Sequence, residues 1–257
     1  MIQQLDENIT RAIFKFLNTN KTVAQIPYYL GLIPYELYVL PGMFIAIAHM
    51  LYYDTYTPLQ FHLVPHWFAF SMATYIKHNL HRTRPGCKFP EMKNKISKNH
   101  CKMPTQVQSF PSGHTIIAFA LATTLITFLN DETVPDENKI FAGIHFYDNK
   151  VKQVVTIFAV LVAAMTGIHR IGFGYHFFGD VCIGAILGMF IGYTSYKMIN
   201  VARHECSEMD ENTNEEDKNK YKKLGIRVLS IFAILMCCLA IYDFFTNKLG
   251  KLTQLKH

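Results

Sequence analysis

The most regular feature of this sequence is a series of long runs that contain no Asp, Glu, Lys or Arg. Charged segments separate these runs, and a helix that spans a membrane needs roughly 17–25 mostly apolar residues. The pattern therefore predicts an all-α polytopic membrane bundle with about six transmembrane helices. The predicted spans are residues 34–53, 58–77, 113–130, 152–169, 178–198 and 226–245.

Three of the predicted spans are less regular than the others. His62, Pro65 and His66 interrupt the second one. The uncharged runs inside the fifth and sixth spans are shorter than the others, although Lys197 and Arg227 at their edges can reach the lipid headgroups. A soluble helical protein with buried helices is the alternative interpretation, but six such runs in 257 residues favour a membrane protein.

The segments outside the spans are more polar. Residues 1–22 have apolar side chains near helical spacing, which predicts an interfacial amphipathic helix; a frayed terminus is the alternative. They lack the apolar core of a cleavable signal peptide. Residues 23–246 then form one membrane domain with polar loops at 131–151 and 200–224, followed by a short basic tail at 247–257.

The positive charge of the chain is concentrated in one place. The formal net charge is +6, but residues 77–102 alone contain eight Lys or Arg and one Glu, so the remainder sums to −1. A chain without a general basic excess loses the main argument for nucleic-acid binding, and we expect no nucleic-acid partner. A locally basic loop instead attracts anionic groups. Intrinsic disorder is excluded because half of the residues are hydrophobic.

Alternation of the spans places three polar segments at one membrane surface: residues 77–85, 111–114 and 170–180. If the second span ends near Lys77, the third begins near His114 on the same side. The fourth span then ends, and the fifth begins, on that side as well. We therefore expect the site loop 77–113 and residues 169–180 to face each other, with the active site at this surface.

The first two segments, together with Arg170 of the third, predict a binding site for an anion. Ser112 and Gly113 precede an apolar helical run, and free N–H groups at a helix start attract negative charge, although Ser is also an ordinary N-cap. His114 in the first turn can give or take a proton. Three cations, Lys77, Arg84 and Arg170, suit a phosphoryl group. Cations at the ends of spans commonly reach the lipid headgroups, and this alternative explains any one of the three. It explains less well why all three occur beside two histidines.

The third segment contains a histidine and a carboxylate. His176 and Asp180 are four residues apart and therefore share one face if this stretch is helical. A carboxylate that holds one ring nitrogen fixes the tautomer and leaves the other nitrogen free to attack. A pair that only links two helices is an equally good interpretation of these residues alone. Asp180, however, begins an uncharged span, where a carboxylate is costly unless it is paired or functional.

Three motifs, K-x6-R-P, P-S-G-H and R-x5-H-x3-D, occur in this order, and they resemble those of the type 2 phosphatidic acid phosphatase superfamily. The resemblance implies that His176 is the nucleophile, that Asp180 orients it, and that His114 protonates the leaving oxygen and then activates water. It also implies a set of groups that hold the phosphate oxygens. These are Lys77, Arg84, Ser112, the Gly113 backbone and Arg170.

The resemblance also implies the substrate class. The expected reaction is metal-independent hydrolysis of a lipid phosphomonoester or diphosphate through a phosphohistidine, with no cofactor. The sequence itself has no Asp, Glu or His cluster with convincing metal-ligand spacing. Two alternatives remain open: a phosphotransferase in which a lipid or sugar hydroxyl replaces water, and a catalytically silent lipid-phosphate binder.

One residue departs from the family pattern, and the side of the membrane is open. His169 stands where the family usually has Ser, which puts that phosphate contact in doubt although an imidazole can still donate. Counts of Lys and Arg on the two sides do not decide the orientation once the expected phosphate ligands are set aside. By resemblance we expect a lumenal or extracytoplasmic site. Cys87 and Cys101 could then form a disulfide, and two free thiols are the alternative.

Overall fold

The protein is described by a computed structural model, which describes residues 2–19, 57–92, 101, 108–132, 140–141, 144–145 and 148–212. The chain divides into two units, Met1–Asn200 and Val201–His257, and the site lies in the first. The helices are α1 (Ile2–Thr19), α2 (Thr57–Asn79), α3 (Pro85–Lys88), α4 (Gly113–Asn130), α5 (Asn149–Gly172) and α6 (Phe178–Asn212), with a 3₁₀ turn at Pro90–Met92. Two short antiparallel strands, β1 (Ile140–Phe141) and β2 (Ile144–His145), pair Ile140 with His145.

Three of the described helices are long and apolar enough to cross a membrane. They are α4, α5 and the Phe178–Val201 part of α6. They coincide with the predicted spans 113–130, 152–169 and 178–198, so the prediction of a helical integral membrane protein is confirmed. The predicted spans 34–53 and 226–245 lie outside the described residues, and the count of six stays a prediction.

Helix α2 covers the second predicted span but is not among these three. It continues through Pro65, and the polar side chains of His62 and His66 accompany the proline in the same stretch. Interruption of the apolar pattern therefore did not interrupt the helix. That α2 crosses the membrane stays a prediction.

Two helix boundaries differ from the predicted loops. Helix α5 begins before residue 152 because the Asp148 side chain caps it, accepting hydrogen bonds from the backbone N–H groups of Lys150 at 2.7 Å and Val151 at 3.2 Å. Helix α6 continues to Asn212, so the prediction of a loop from residue 200 was wrong. Hydropathy marks the end of an apolar surface, whereas Ala, Arg, Glu and Met in this stretch are favourable helix residues.

Helix α6 packs closely on α4 through three glycines spaced four residues apart. A Cβ at Gly184 would lie 3.0 Å from the Ser112 carbonyl oxygen, and one at Gly188 would lie 2.5 Å from that of Ile116. Gly192 repeats this approach one turn further on. Small residues at this spacing let two helix backbones approach in lipid, which agrees with the Gly-rich sequence of this segment.

Helix α1 packs against the site loop. Glu7 forms an ion pair of 2.6 Å with Lys88, and Arg11 lies 3.5 Å from Glu91. Phe14 packs on a cluster made by Phe89, Met92 and Phe177. The helix predicted within residues 1–22 is present; its placement in the membrane interface stays a prediction. Its outward side chains include exposed apolar residues, namely Ile2, Leu5 and Phe16.

Candidate active site

Backbone hydrogen bonds join the three predicted site segments. The Gly86 N–H donates to the Gly174 carbonyl oxygen at 2.9 Å, and the Ser112 N–H donates to that of Asp180 at 3.2 Å. The structure therefore brings the site loop, the start of α4 and the α5–α6 connection together at one end of the candidate spans.

Gly174 makes the connection between α5 and α6 compact. Its φ of +68° lies in the left-handed region that favours glycine. A Cβ there would also lie 2.8 Å from the Met92 carbonyl oxygen. This turn lets Arg170, at the end of α5, and His176, just before α6, approach the same site.

The three predicted phosphate-binding cations lie around one buried tyrosine and one glycine. The Arg170 guanidinium carbon lies 4.2 Å from the ring centre of Tyr175, and that of Arg84 lies 5.5 Å from it. A cation over an aromatic face is attracted by the ring quadrupole. The Lys77 Nζ lies 3.7 Å from the position that a Cβ on Gly113 would occupy. Tyr175 thus helps to hold two of the cations.

Burial shifts the pKa values of Arg84 and Tyr175, but neither group changes its charge at neutral pH. It lowers the pKa of Arg84 to about 10, so this guanidinium stays positive at neutral pH. Burial raises the pKa of the Tyr175 phenol, which therefore stays neutral. The site thus carries positive charge that no neighbouring tyrosinate offsets.

His176 is buried and has a defined tautomer. Its Nδ1 lies 2.5 Å from the backbone carbonyl oxygen of Ser109. Because a carbonyl only accepts, Nδ1 must carry the proton and Nε2 retains its lone pair. Burial, followed by the charges of Arg84 and Lys77, lowers the pKa of His176 well below its usual value. The imidazole is therefore neutral at neutral pH, which is the form with a lone pair available on Nε2.

Asp180 is adjacent to His176 but its carboxylate bonds to other groups. The distance from His176 Nδ1 to Asp180 Oδ2 is 3.9 Å. Oδ1 accepts from Arg82 at 2.5 Å, and Oδ2 accepts from the Phe177 N–H at 2.9 Å and from the Ser109 hydroxyl. Ser109 therefore connects the two predicted catalytic groups, with its hydroxyl on Asp180 and its carbonyl on His176.

The start of α4 contributes the second predicted segment. Ser112 is the N-cap residue and is buried, but its hydroxyl pairs with that of Thr115 at 2.8 Å and makes no capping hydrogen bond. Gly113 begins the helix, and His114 lies in its first turn. His114 is close enough to His176 for its charge to lower the pKa of His176. A histidine in the first turn of α4 and one just before α6 are thus both near the same cations.

His169, the departure from the family pattern, lies in the last turn of α5 beside Arg170. It is buried, and its ring centre lies 4.6 Å from that of Phe173. In the part of the chain that the structure describes, no three His, Cys, Asp or Glu side chains are grouped to hold a metal ion.

Four residues of the site were missed by sequence reasoning. Arg82 lies inside the first motif, and its position between Lys77 and Arg84 was the available signal. Tyr175 lies beside His176 in the third motif. Ser109 and Asp6 contact the site from outside the three motifs, and no local pattern marks them. The missed residues are Asp6, Arg82, Ser109 and Tyr175.

Cys87 and Cys101 form a disulfide with a Cα–Cα distance of 5.5 Å. This confirms the first of the two possibilities left open by the sequence. The bridge lies in the site loop, so it ties the segment that follows Arg84 to a more distant part of that loop.

Comparison with known proteins identifies the family. The family model described as the PAP2 superfamily matches residues 63–203. The chain belongs to the PAP2 superfamily. This confirms the resemblance found in the three motifs, and the matched region contains every predicted site residue. Helix α1 lies outside the matched residues.

Curated relatives align with about a third of the chain. Similar proteins are Probable lipid phosphate phosphatase 4 of Arabidopsis thaliana, 32% identical over 92 residues, and Lipid phosphate phosphatase 1 of the same organism, 31% identical over 90 residues. Each alignment covers 35% of this chain. It covers 26% of the first relative and 25% of the second, so the chain spans about a quarter of their length.

A solved structure has the same fold. The transmembrane PAP2 type phosphatidylglycerolphosphate phosphatase from Bacillus subtilis superposes with a TM-score of 0.56 and 21% sequence identity. The superposition covers 83% of this chain and 88% of that protein. The predicted helical membrane fold is thereby supported over most of both chains.

Proposed function

We propose that this PAP2 protein is a membrane phosphatase that hydrolyses a lipid phosphomonoester or diphosphate through a phosphohistidine at His176, without a metal ion. The observation that carries the proposal is the state of His176: a neutral imidazole with its proton on Nδ1, beside three cations. Membership in the superfamily and similarity to lipid phosphate phosphatases support the same reaction.

In the first step the lone pair of His176 Nε2 attacks phosphorus. The bond from phosphorus to the leaving oxygen breaks, and protonated His114 gives its proton to that oxygen. Lys77, Arg84 and Arg170 stabilise the negative charge on the other phosphate oxygens. The products are a phosphohistidine and the dephosphorylated lipid, or a lipid monophosphate when the substrate is a diphosphate.

In the second step His114, now neutral, takes a proton from water as the water oxygen attacks phosphorus. The phosphorus–nitrogen bond breaks, inorganic phosphate leaves, and His176 regains its lone pair. His114 is protonated again and ready for the next cycle. One histidine therefore acts as acid and then as base, while the other forms the covalent bond.

The location of the site supports an amphiphilic substrate. The catalytic groups lie at the ends of α4, α5 and α6, all of which are long and apolar enough to cross the bilayer. A lipid can place its phosphate among the cations there while its tail stays in hydrocarbon. We propose that this surface is lumenal or extracytoplasmic, because the Cys87–Cys101 disulfide suits an oxidising compartment.

A phosphate-release screen tests the proposal. Purified protein and its His176→Ala variant would be assayed in mixed micelles with phosphatidate, a sphingoid-base phosphate and a polyisoprenyl diphosphate, with and without EDTA. We expect free phosphate from at least one lipid class, no effect of EDTA, and no product from the variant. Phosphate found only on an acceptor lipid would establish a phosphotransferase instead. Lipid binding without turnover would establish the silent binder.

A further inference from the structure

A continuous set of hydrogen bonds runs from His176 to the N-terminal helix. His176 Nδ1 donates to the Ser109 carbonyl, and the Ser109 hydroxyl donates to Asp180. Arg82 donates to Asp180 Oδ1 at 2.5 Å and, through its other terminal nitrogen, to Asp6 Oδ2 at 2.5 Å. We call His176, Ser109, Asp180, Arg82 and Asp6 the orienting network. Its last member belongs to α1.

Arg82 is held in a geometry that only a guanidinium provides. One terminal nitrogen binds a fully buried carboxylate and the other binds one that is 14% exposed, while the guanidinium carbon lies 4.0 Å from the ring centre of Phe177. A planar fork can bind two carboxylates and stack on a ring at the same time, whereas an ammonium is a point charge. Asp6 thus fixes the cation that fixes Asp180.

Helix α1 also holds the start of α6, where Asp180 lies. The first N–H groups of a helix have no partner within it. Here the Phe178 N–H donates to the Thr10 hydroxyl at 3.0 Å, and the Gly179 N–H donates to Asp6 Oδ1 at 2.7 Å. Asp6 therefore uses one oxygen for α6 and the other for Arg82.

We propose that Asp6 and Arg82 are positioning residues for catalysis, and that α1 completes the active site by holding Asp180 from behind. The inference rests on the proposed function, in which His176 is the nucleophile. Neither residue touches phosphate: they act through Asp180 and Ser109 on the tautomer and direction of His176. The region matched by the superfamily, residues 63–203, does not include α1, so this role is additional to the three motifs.

The test uses the full chain with Asp6→Asn and Arg82→Lys. The first removes the charge that binds Arg82 with almost no change in shape, and the second keeps a cation but removes the fork. We expect kcat to fall by about tenfold to a hundredfold. KM should stay within about twofold, because Lys77, Arg84 and Arg170 are untouched. Glu7→Gln is the matched control, since it removes a neighbouring ion pair of α1 outside the network.

A spectroscopic measurement separates positioning from general damage. The proton on His176 Nδ1 should give a downfield NMR signal in the parent protein that His176→Ala removes. We expect Asp6→Asn and Arg82→Lys to shift or broaden this signal, and Glu7→Gln to leave both the signal and kcat unchanged. If the parent releases no phosphate, the proposed function fails, yet the signal still tests the network.

Three results would overturn the inference. The first is a parent-like kcat and an unchanged Nδ1 signal in Asp6→Asn and Arg82→Lys. The second is an equal loss of kcat in Glu7→Gln, which would show that any weakening of α1 has the same effect. The third is failure of Asp6→Asn to fold, because the contact would then maintain the fold and not the direction of Asp180.

Discussion

Ser109→Ala separates the two ways in which Ser109 touches the catalytic pair. The substitution removes the hydroxyl that donates to Asp180 Oδ2 and keeps the backbone carbonyl that accepts from His176 Nδ1. Asp180 Oδ2 then retains the Phe177 N–H, and Oδ1 retains Arg82. His176 should therefore keep its tautomer, while the buried carboxylate loses one of its three donors.

The magnitude follows from the charge of the acceptor. A hydrogen bond to a charged group contributes about 1.5–3 kcal/mol, and each 1.36 kcal/mol corresponds to about tenfold in rate. If the full amount is lost from the transition state, kcat falls by about tenfold to 150-fold. We expect the lower half of this range, because the remaining donors of Asp180 can adjust.

The assay is phosphate release at varied substrate concentration, with active sites counted by the amount of trapped phosphohistidine. KM should change little, because Ser109 lies behind His176 and away from Lys77 and Arg84. Ser195→Ala is the matched control: this serine is equally buried but lies far along α6 from the site. A kcat for Ser109→Ala equal to that of the control would refute the connection between Asp180 and His176 through Ser109.

Three further predictions test the turn, the titration of the nucleophile and the bridge. Gly174→Ala should destabilise the protein by about 1–2 kcal/mol from the left-handed φ alone, with a further loss from contact with Met92; a thermal shift in detergent measures it, and an unchanged melting temperature would contradict the positive φ. The pKa of His176 is lowered on folding, so below about pH 6.5 the unfolded chain binds a proton that the folded chain does not, and the free energy of unfolding should decrease as the pH is lowered. The dependence of this free energy on pH should be weaker in His176→Gln, and an identical dependence would contradict the lowered pKa. Reduction of the Cys87–Cys101 bridge, which joins residues 14 apart, should lower the free energy of unfolding by about 3 kcal/mol, because the unfolded chain is then less constrained. A membrane-impermeant thiol reagent should label the reduced cysteines in sealed vesicles only when the site side faces outward.

The fold was predictable where the surroundings of the chain impose a simple rule. Lipid requires long apolar helices, so the predicted span 113–130 coincides with α4, and the predicted spans 152–169 and 178–198 lie within α5 and α6. This rule does not predict where a helix ends once it has left the apolar region. That is why hydropathy placed a loop at residue 200, where α6 continues to Asn212.

The grouping of the candidate site residues was predictable where a residue type is unusual for its position. A carboxylate at the start of a span, as at Asp180, and histidines beside several cations are costly unless they are used. Ser109 and Asp6 carry no such signal, because serine and aspartate are ordinary in polar segments. Their contacts with Asp180 and Arg82 join positions 71 and 76 residues apart, and only the folded chain reveals them.

The glycine contacts between α6 and α4 have a consequence for the chemistry at the membrane surface. His114 lies in the first turn of one of these helices and Asp180 in the first turn of the other. The distance between these two predicted catalytic residues therefore depends on how far one helix lies along its neighbour. A displacement by one helical turn would move these groups apart by about 5.4 Å. Gly188 and Gly192, whose close contacts with the α4 backbone lie within the candidate spans, therefore fix the position of α6 along α4. A methyl group added at either glycine would shift α6 against α4. We expect this shift to change turnover at the membrane surface, even though the substitution is remote from the predicted phosphate site and leaves each helix intact.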